Sequence, residues 1–132
     1  MTPHIKEFER LIGRKIVNPF TDGMEFVKKN NVNLHLKSTC SLTFSPYTEC
    51  ILANGTLGNE LAKGGSGDVL SGIISALTVN CPNAELGIAV ALAAEIHRRV
   101  AHELTERQNA RSILASEVVD ELGVYLKNIP EE

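Results

Sequence analysis

The sequence lacks the features that mark several large classes of protein. Its 132 residues carry a net charge of −3, so bulk electrostatics give no reason to expect nucleic acid or an anionic membrane surface as a partner. No apolar run approaches the roughly 20 residues that a membrane helix needs, and residues 1–6 lack the apolar core of a signal peptide. Internal repeats, low-complexity segments and linkers are also missing. We therefore expect one compact globular domain.

Cysteine and histidine are too sparse to indicate a metal site or a disulfide framework. Cys40, Cys50 and Cys81 are odd in number and widely spaced, which is typical of free thiols in a reducing compartment. His97 and His102 are five residues apart, whereas paired ligands on one helical face stand four apart, and the HExxH pattern is absent. The sequence therefore predicts a cytoplasmic protein whose side chains bind no metal.

A glycine-rich loop is the most informative stretch that the sequence does contain. Residues 62–72 are Ala-Lys-Gly-Gly-Ser-Gly-Asp-Val-Leu-Ser-Gly. Backbone N–H groups at such a helix start favour an anion, most often a phosphate, and glycine lets the anion approach the backbone. The Walker A spacing and the G-x-G-x-x-G fingerprint of dinucleotide-binding proteins are both absent. The loop predicts a phosphate site of another kind.

Asp68, at the end of this loop, has two interpretations. A carboxylate repels a neighbouring phosphate, so its presence needs a reason. Asp68 could be a general base that removes the proton from a hydroxyl about to attack phosphorus. Alternatively, it could cap the following helix, whose apolar side comprises Val69, Ile73, Ile74 and Leu77. Spacing alone does not separate the two.

Elsewhere, the residue pattern predicts a strand and a hairpin between helices. Phe8, Leu11 and Ile12 have helical spacing, and Gly13 ends that helix. Strands are expected where apolar and polar residues alternate, and N-caps where a short polar side chain precedes a helical pattern. The expected helices are 21–30 with Thr21 as N-cap, 68–78, 84–106 capped by Asn83, and a last one capped by Ser116; the expected strands are 32–37, 41–45 and 50–53.

Three segments resemble the NAD(P)H-hydrate dehydratases, a family of the ribokinase-like superfamily. Residues 2–11 match the family's Thr-Pro-His-Pro-Gly-Glu-Phe/Met-x-Arg-Leu motif, with Ile-Lys in place of Pro-Gly. Lys37 falls on the lysine that follows a strand in the family, and Ser38 replaces the family's glycine. Residues 62–72 match its Ala-x-Gly-Gly-Ser/Thr-Gly-Asp-Val-Leu-x-Gly motif, although the family's proline shortly before this motif is absent.

The resemblance covers nearly the whole chain but only about the C-terminal half of the family's domain. It implies an α/β, ribokinase-like fold in which residues 1–132 form a single partial domain. That portion comprises a strand plus a β-hairpin followed by three helices, with an incomplete central sheet. We expect an exposed sheet edge near residues 32–37, because the strands that would flank it are absent, and exposed edges invite pairing. A homo-oligomer, or association with a missing N-terminal half, is the expected consequence.

The activity that the resemblance implies is repair of hydrated NADH or NADPH. Family members transfer a phosphoryl group from ADP or ATP to the hydroxyl of the hydrate and then eliminate phosphate, while Mg²⁺ neutralises the phosphates. By resemblance, Asp68 is the catalytic base and contacts the substrate together with His4 and Asn59. The nucleotide and the transferring phosphoryl group are held by Lys37, Ser38, Thr39, Cys40 and Ser41 and by Gly64, Gly65, Ser66 and Gly67.

Two other functions stay open at the level of sequence. A kinase of a small hydroxylated metabolite uses the same Gly-Asp pair before a helix. His4 favours the dehydratase, because sugar kinases of the superfamily more often carry an asparagine near this position. A non-catalytic half-domain that works only with a partner chain would also keep these motifs.

Overall fold

Helices flank a small sheet in the order that the sequence predicts. The computed structural model describes residues 1–55, 58–81 and 85–129. Within them, the strand and hairpin are followed by three helices, as expected, and two helices precede the sheet. None of the described helices combines the length and apolar character needed to cross a membrane. The elements are α1 (Ile5–Ile12), α2 (Pro19–Asn30), β1 (Leu34–Leu36), β2 (Cys40–Phe44), β3 (Ile51–Gly55), α3 (Ser66–Asn80), α4 (Leu86–Leu104) and α5 (Ala115–Lys127).

The sheet has one apolar and one polar face because its strands alternate. β1, β2 and β3 pair antiparallel in that order. The apolar residues of β1 and β2 pair in register and are buried in one core. The intervening residues point to the opposite face, where His35 Nδ1 and Thr43 Oγ1 are 2.8 Å apart. The buried apolar residues of the two strands are Leu34, Leu36, Leu42 and Phe44.

The sheet is the middle of three layers. α1 and α2 pack on its apolar face, where Phe8 and Val27 are fully buried. On the other side α3, α4 and α5 pack against one another, and α4 contacts all three strands. Ala93 and Ala101 are also fully buried, and their small side chains let α4 lie close to its neighbours. α4 thus separates the helical core from the polar face of the sheet.

The sheet edge beside β1 is covered, which corrects the expectation of an exposed edge near residues 32–37. Residues 1–4 run parallel to β1 and hydrogen-bond to it. The N–H of His35 donates to the Met1 carbonyl over 2.8 Å, and all of β1 is buried. Within the described residues, no strand pairs with the outer side of residues 1–4 or of β3. The incomplete sheet is therefore open at those two edges.

The start of α2 differs from the prediction. The helix begins at Pro19, and its N-cap is Asn18, not Thr21. Asn18 Oδ1 accepts hydrogen bonds from the N–H groups of Phe20 and Thr21, over 2.9 and 3.4 Å. Proline suits the first position of a helix because its φ is already helical and it has no N–H to leave unpaired. The Asn-Pro pair therefore starts the helix before Thr21.

The caps of the last two helices also differ from the prediction. The N-cap of α4 is Glu85, whose carboxylate accepts an N–H of the first turn over 3.1 Å. The predicted cap, Asn83, lies outside the described residues. α5 begins one residue before Ser116, which is therefore not its cap. The Glu117 carboxylate accepts the N–H of Leu114 over 2.6 Å and fixes the earlier start.

Candidate functional site

A cavity of about 440 Å³ lies between the polar face of the sheet, the glycine-rich loop and α4. This volume is ordinary for a small-molecule site, for which roughly 300–1,000 Å³ is typical. The three segments that carry the family resemblance all reach it, although they are far apart in sequence. The predicted site residues that line the cavity are His4, Lys37, Ser38, Thr39, Ser41, Asn59, Ser66 and Gly67, whereas Cys40, Gly64, Gly65 and Asp68 lie outside its lining.

The pairing of residues 1–4 with β1 places His4 beside Lys37. The two residues form a parallel bridge, in which the Lys37 N–H donates to the Pro3 carbonyl over 2.9 Å. His4 also caps α1: its Nδ1 accepts the Glu7 N–H over 3.1 Å, and Glu7 accepts the His4 N–H over 2.8 Å. That second hydrogen bond lowers the pKa of Glu7. A neutral His4 therefore carries its proton on Nε2.

Serine side chains hold the turn between β1 and β2. The Ser38 N–H donates to Ser41 Oγ over 3.3 Å, and the Ser41 hydroxyl donates to the Ser38 carbonyl over 3.2 Å. The Ser38 hydroxyl donates to the carbonyl of Cys40. Both serine hydroxyls are thus used inside the turn. Cys40 and Ser41 are consecutive on β2 and point to opposite faces, which explains why Cys40 is absent from the cavity lining.

The glycine-rich loop turns into α3 at a residue with left-handed backbone conformation. Gly65 is the N-cap of α3 with φ of 84°, which favours glycine. The N–H groups of Ser66 and Asp68 donate to carbonyls of the loop itself, over 3.4 and 3.1 Å. In the described part of the chain, the N–H groups of Gly64, Gly65 and Gly67 have no partner. The loop therefore offers unpaired donors at the positive end of a helix.

Lys63 fastens the loop to the segment that precedes α5. Its Nζ donates to the carbonyl of Ala110 over 2.7 Å and to the carbonyl of Ile113. A Cβ built on Gly65 would stand 3.3 Å from the Ala115 Cβ, so the loop lies directly against the start of α5. The Lys63 ammonium is thereby used to hold the loop.

Lys37 brings an uncommitted positive charge to the loop. A Cβ built on Gly67 would stand 3.2 Å from Lys37 Nζ, so the ammonium lies against the loop backbone. Among the residues that the structure describes, its side chain has no ion-pair partner. Arg98, by contrast, donates from Nε to Glu95 Oε2 over 3.0 Å, and this pairing lowers the pKa of Glu95 to about 2. The Lys37 ammonium is therefore available to form an ion pair with an anion bound at the loop.

Two buried histidines also line the cavity, His35 of β1 and His97 of α4. Burial lowers the pKa of each imidazole to about 4, so both are neutral at pH 7. Sequence reasoning missed both. Strand alternation places His35 on the same face as Lys37, two residues on, and could have indicated it. For His97 the sequence pattern bears only on metal binding, and nothing in it marks this residue as part of a cavity.

Asp68 is the third residue of α3, which makes the capping interpretation wrong. The N-cap is Gly65, and among the described residues no side chain makes a capping hydrogen bond to the start of this helix. Asp68 is exposed. A carboxylate in a first turn is favoured by the helix dipole, so the position is electrostatically acceptable without a cap bond. Its carboxylate is therefore not engaged in capping.

Asn59 lies in the turn that leads into the loop. It lines the cavity, and its carbonyl accepts the N–H of Ala62 over 3.1 Å. The next residue, Glu60, is 3% exposed, and its Oε1 is 3.6 Å from His102 Nδ1. A buried carboxylate thus lies next to Asn59, under the approach to the loop.

The donor set of the cavity suits a phosphate-bearing molecule. Unpaired N–H groups of the loop and the Lys37 ammonium supply hydrogen bonds and charge for phosphate oxygens. No cluster of three or more His, Cys, Asp or Glu residues in the described ranges could hold a metal ion. Mg²⁺ is commonly held by substrate phosphates with few protein ligands, so it would enter with a nucleotide. The residues present thus fit a Mg²⁺-bound nucleotide.

Comparison with known proteins agrees with this chemistry. A family model described as NAD(P)H-hydrate dehydratase matches residues 1–123. The chain is 32% identical over 124 residues to the ADP-dependent (S)-NAD(P)H-hydrate dehydratase of Bacillus subtilis (strain 168), covering 91% of this chain and 44% of that protein. Among solved structures it is similar to the ADP/ATP-dependent NAD(P)H-hydrate dehydratase from Bacillus subtilis co-crystallized with ATP/Mg²⁺ and soaked with CoA. That match has a TM-score of 0.83 and 28% identity, and covers 98% of this chain and 48% of that one.

The fold likeness extends to a ribokinase-like superfamily protein from Enterococcus faecalis V583. Its TM-score is 0.76 at 25% identity, with 96% of this chain and 43% of that chain covered. The chain thus spans less than half the length of each of these relatives. The ribokinase-like fold predicted from the sequence is confirmed. Because the family model matches nearly the whole chain, the protein belongs to the NAD(P)H-hydrate dehydratase family.

Proposed function

We propose that this chain carries the nucleotide site and the catalytic base of an NAD(P)H-hydrate dehydratase. The reaction would restore NADH or NADPH from its hydrate, with ADP or ATP as phosphoryl donor and Mg²⁺ on the phosphates. One observation carries the proposal: His4, Lys37 and Gly67 meet at one cavity, with the Lys37 ammonium against the loop backbone at Gly67. Similar proteins are named as dehydratases that use ADP or ATP.

The proposed chemistry has two steps. Asp68 takes the proton of the hydrate's hydroxyl while that oxygen attacks the terminal phosphorus, and AMP or ADP leaves. Phosphate then leaves the carbon with its bonding electrons, a neighbouring proton is lost, and the ring double bond returns. The unpaired N–H groups at Gly64, Gly65 and Gly67 stabilise charge on the transferring phosphoryl group. Lys37 neutralises further charge.

The remaining predicted residues divide between the two ligands. The β1–β2 turn contacts the nucleotide, mainly through Thr39, because the hydroxyls of Ser38 and Ser41 are used within the turn. His4 and Asn59 contact the hydrate. His4 donates from Nε2, since its Nδ1 is occupied by the α1 cap.

We also propose that residues 1–132 form one partial domain, the C-terminal half of the complete one. Coverage of 44–48% of two relatives supports this, as do the open outer sides of β3 and of residues 1–4. The chain would then form a homo-oligomer or associate with an N-terminal half, because open edges pair readily. Three exposed free cysteines favour a cytoplasmic location. Sedimentation should show an assembly larger than one chain; a stable monomer with no affinity for an N-terminal half would contradict this.

The activity test supplies hydrated NADH, Mg²⁺ and either ADP or ATP. The readouts are recovery of NADH absorbance and release of AMP or ADP. The assay is run on the chain alone and on the chain joined to an N-terminal half, with sugars as competing acceptors. Recovery of NADH without sugar phosphorylation supports the proposal. Phosphorylation of a sugar would identify a kinase instead, and no turnover in either preparation would indicate a non-catalytic half-domain.

A further inference from the structure

His97 combines deep burial with an unsatisfied side chain at the cavity. It is 4% exposed and lines the cavity from α4. Within the described residues its imidazole makes no hydrogen bond, and the fully enclosed unpaired side-chain atoms there belong to Asn33, Asn54 and Glu60. The ring of His97 therefore keeps contact with the cavity. A ligand in the cavity could therefore hydrogen-bond to this ring.

The cavity offers two kinds of recognition. One kind is ionic recognition by the Lys37 ammonium. The other two cations of the lining are already engaged, because Lys63 donates to two carbonyls and Arg98 donates to Glu95. The other kind is neutral and belongs to the imidazoles. A neutral imidazole adds a hydrogen bond to a ligand but no charge. The imidazole at α4 is thus suited to an uncharged part of the ligand.

The protonation state of the His97 imidazole is set by its surroundings. Burial keeps the pKa of His97 near 4, and a charge on His97 would be opposed by His35, whose own pKa is lowered partly by His97. His35 is held by its hydrogen bond to Thr43 Oγ1. A neutral imidazole has one nitrogen that donates and one that accepts. Because these two nitrogens point in different directions, each can pair with a separate polar group, as donor or as acceptor according to the tautomer.

We infer that His97 is a ligand-binding residue, whose neutral imidazole donates a hydrogen bond to, or accepts one from, an uncharged polar group of the ligand. A carboxamide and the edge of an adenine ring both have this chemistry. The inference rests on the proposed function, because it assigns a role within the same cavity, and it adds a residue outside the motifs that carry the family resemblance.

The test measures binding of ADP with Mg²⁺ and of hydrated NADH, separately, to the chain and to three variants. His97→Phe keeps a ring but removes both nitrogens, His97→Gln keeps a donor and an acceptor, and Glu103→Gln is a control at an exposed position of the same helix. Loss of one neutral hydrogen bond predicts weakening on the order of three- to tenfold for His97→Phe. His97→Gln should recover part of the loss, and Glu103→Gln should bind normally. The ligand that is affected identifies the source of the group.

A second measurement uses the unmodified chain, so it does not depend on whether a variant folds. The ring nitrogen resonances of His97 should shift as one of the two ligands is added. If ADP or the hydrate binds but His97 signals stay in place and His97→Phe binds normally, the inference is wrong while the proposed function stands. If neither ligand binds even with an N-terminal half present, both are wrong.

Discussion

The two walls of the cavity differ in what they offer a ligand. The sheet wall offers side chains: His4 belongs to the segment that pairs with β1, His35 lies on β1, and Lys37 follows the end of β1. The period of two along the strand sets the direction of His35 and Lys37. The loop wall offers backbone: within the described residues the N–H groups of Gly67, which lines the cavity, and of the neighbouring Gly64 and Gly65 are unpaired. What the sheet wall can bind depends on which side chains it carries. What the loop wall can bind depends on glycines, whose lack of a side chain leaves the backbone N–H groups accessible. Substitutions should therefore act on the two walls by different physical routes.

Loss of the carboxylate at the loop wall should have the largest effect. Asp68→Asn removes the proton acceptor, so turnover should fall on the order of 10²- to 10⁴-fold. ADP affinity should hold or improve because a negative charge near the phosphates is gone. Since Asp68 is not a cap, stability should fall only by the dipole contribution, roughly 0.3–1 kcal/mol. Asp120→Asn, at an exposed position of α5, is the control. Turnover within about threefold of the parent would contradict the role of Asp68.

The second-largest effect should come from protonation of His35 on β1 and His97 on α4, which should destabilise the fold. The folded pKa values of His35 and His97 are about 4, below the unfolded value of 6.5, so the unfolded chain binds more protons between these values. Stability is complete above pH 6.5 and is lost as the pH falls towards 4, by up to roughly 3 kcal/mol per histidine. Asp22, whose pKa the Arg14 hydrogen bonds lower to about 2, adds losses only below about pH 4.

Urea unfolding of the chain at several pH values between 7 and 4 measures this loss directly. The His97→Phe variant should show a shallower dependence, because one of the two titrating groups is gone. A free energy of unfolding that stays constant over this range would show that the two imidazoles are not buried as described.

Neutralising the sheet wall should weaken nucleotide binding without affecting the fold. Lys37→Met removes a charged hydrogen-bond donor, for which a loss of about tenfold or more in ADP affinity is expected. Because the lost interaction is ionic, the affinity of the unmodified chain should depend on salt more steeply than that of the variant. Lys127→Met, at the exposed end of α5, should bind ADP normally. Equal ADP affinity of Lys37→Met and Lys127→Met would place the phosphates elsewhere.

Adding one methyl group to the loop wall should have the smallest effect of the series. Gly65→Ala forces a Cβ into a φ of 84° and to 3.3 Å from Ala115 Cβ, which should cost about 1–2 kcal/mol of stability. Gly72→Ala on α3 is the matched control: its Cβ meets open space, so it should stabilise the helix by up to about 1 kcal/mol. Thermal unfolding should therefore move in opposite directions for the two variants. A shift in the same direction would contradict the assigned loop geometry.

The sheet wall was the more predictable of the two. Alternation in residues 32–37 predicted the strand, and the same alternation could have indicated the shared face of His35 and Lys37. The loop motif predicted a helix start, but only the structure shows that Gly65, not Asp68, is its cap. The edge beside β1 is covered through hydrogen bonds between residues more than 30 positions apart in sequence, such as that from His35 to Met1. A local sequence pattern cannot predict such pairing.

The central claim is that the unpaired loop N–H groups and Lys37 bind the phosphates of one nucleotide. Its most direct test is amide NMR during titration of the 14.3 kDa chain with ADP and Mg²⁺, alone and with an N-terminal half. The amide signals of Gly64, Gly65 and Gly67 should shift together, and Lys37→Met should reduce the affinity read from those shifts. Saturation by ADP with these three signals unmoved, or no binding in either preparation, would contradict the claim.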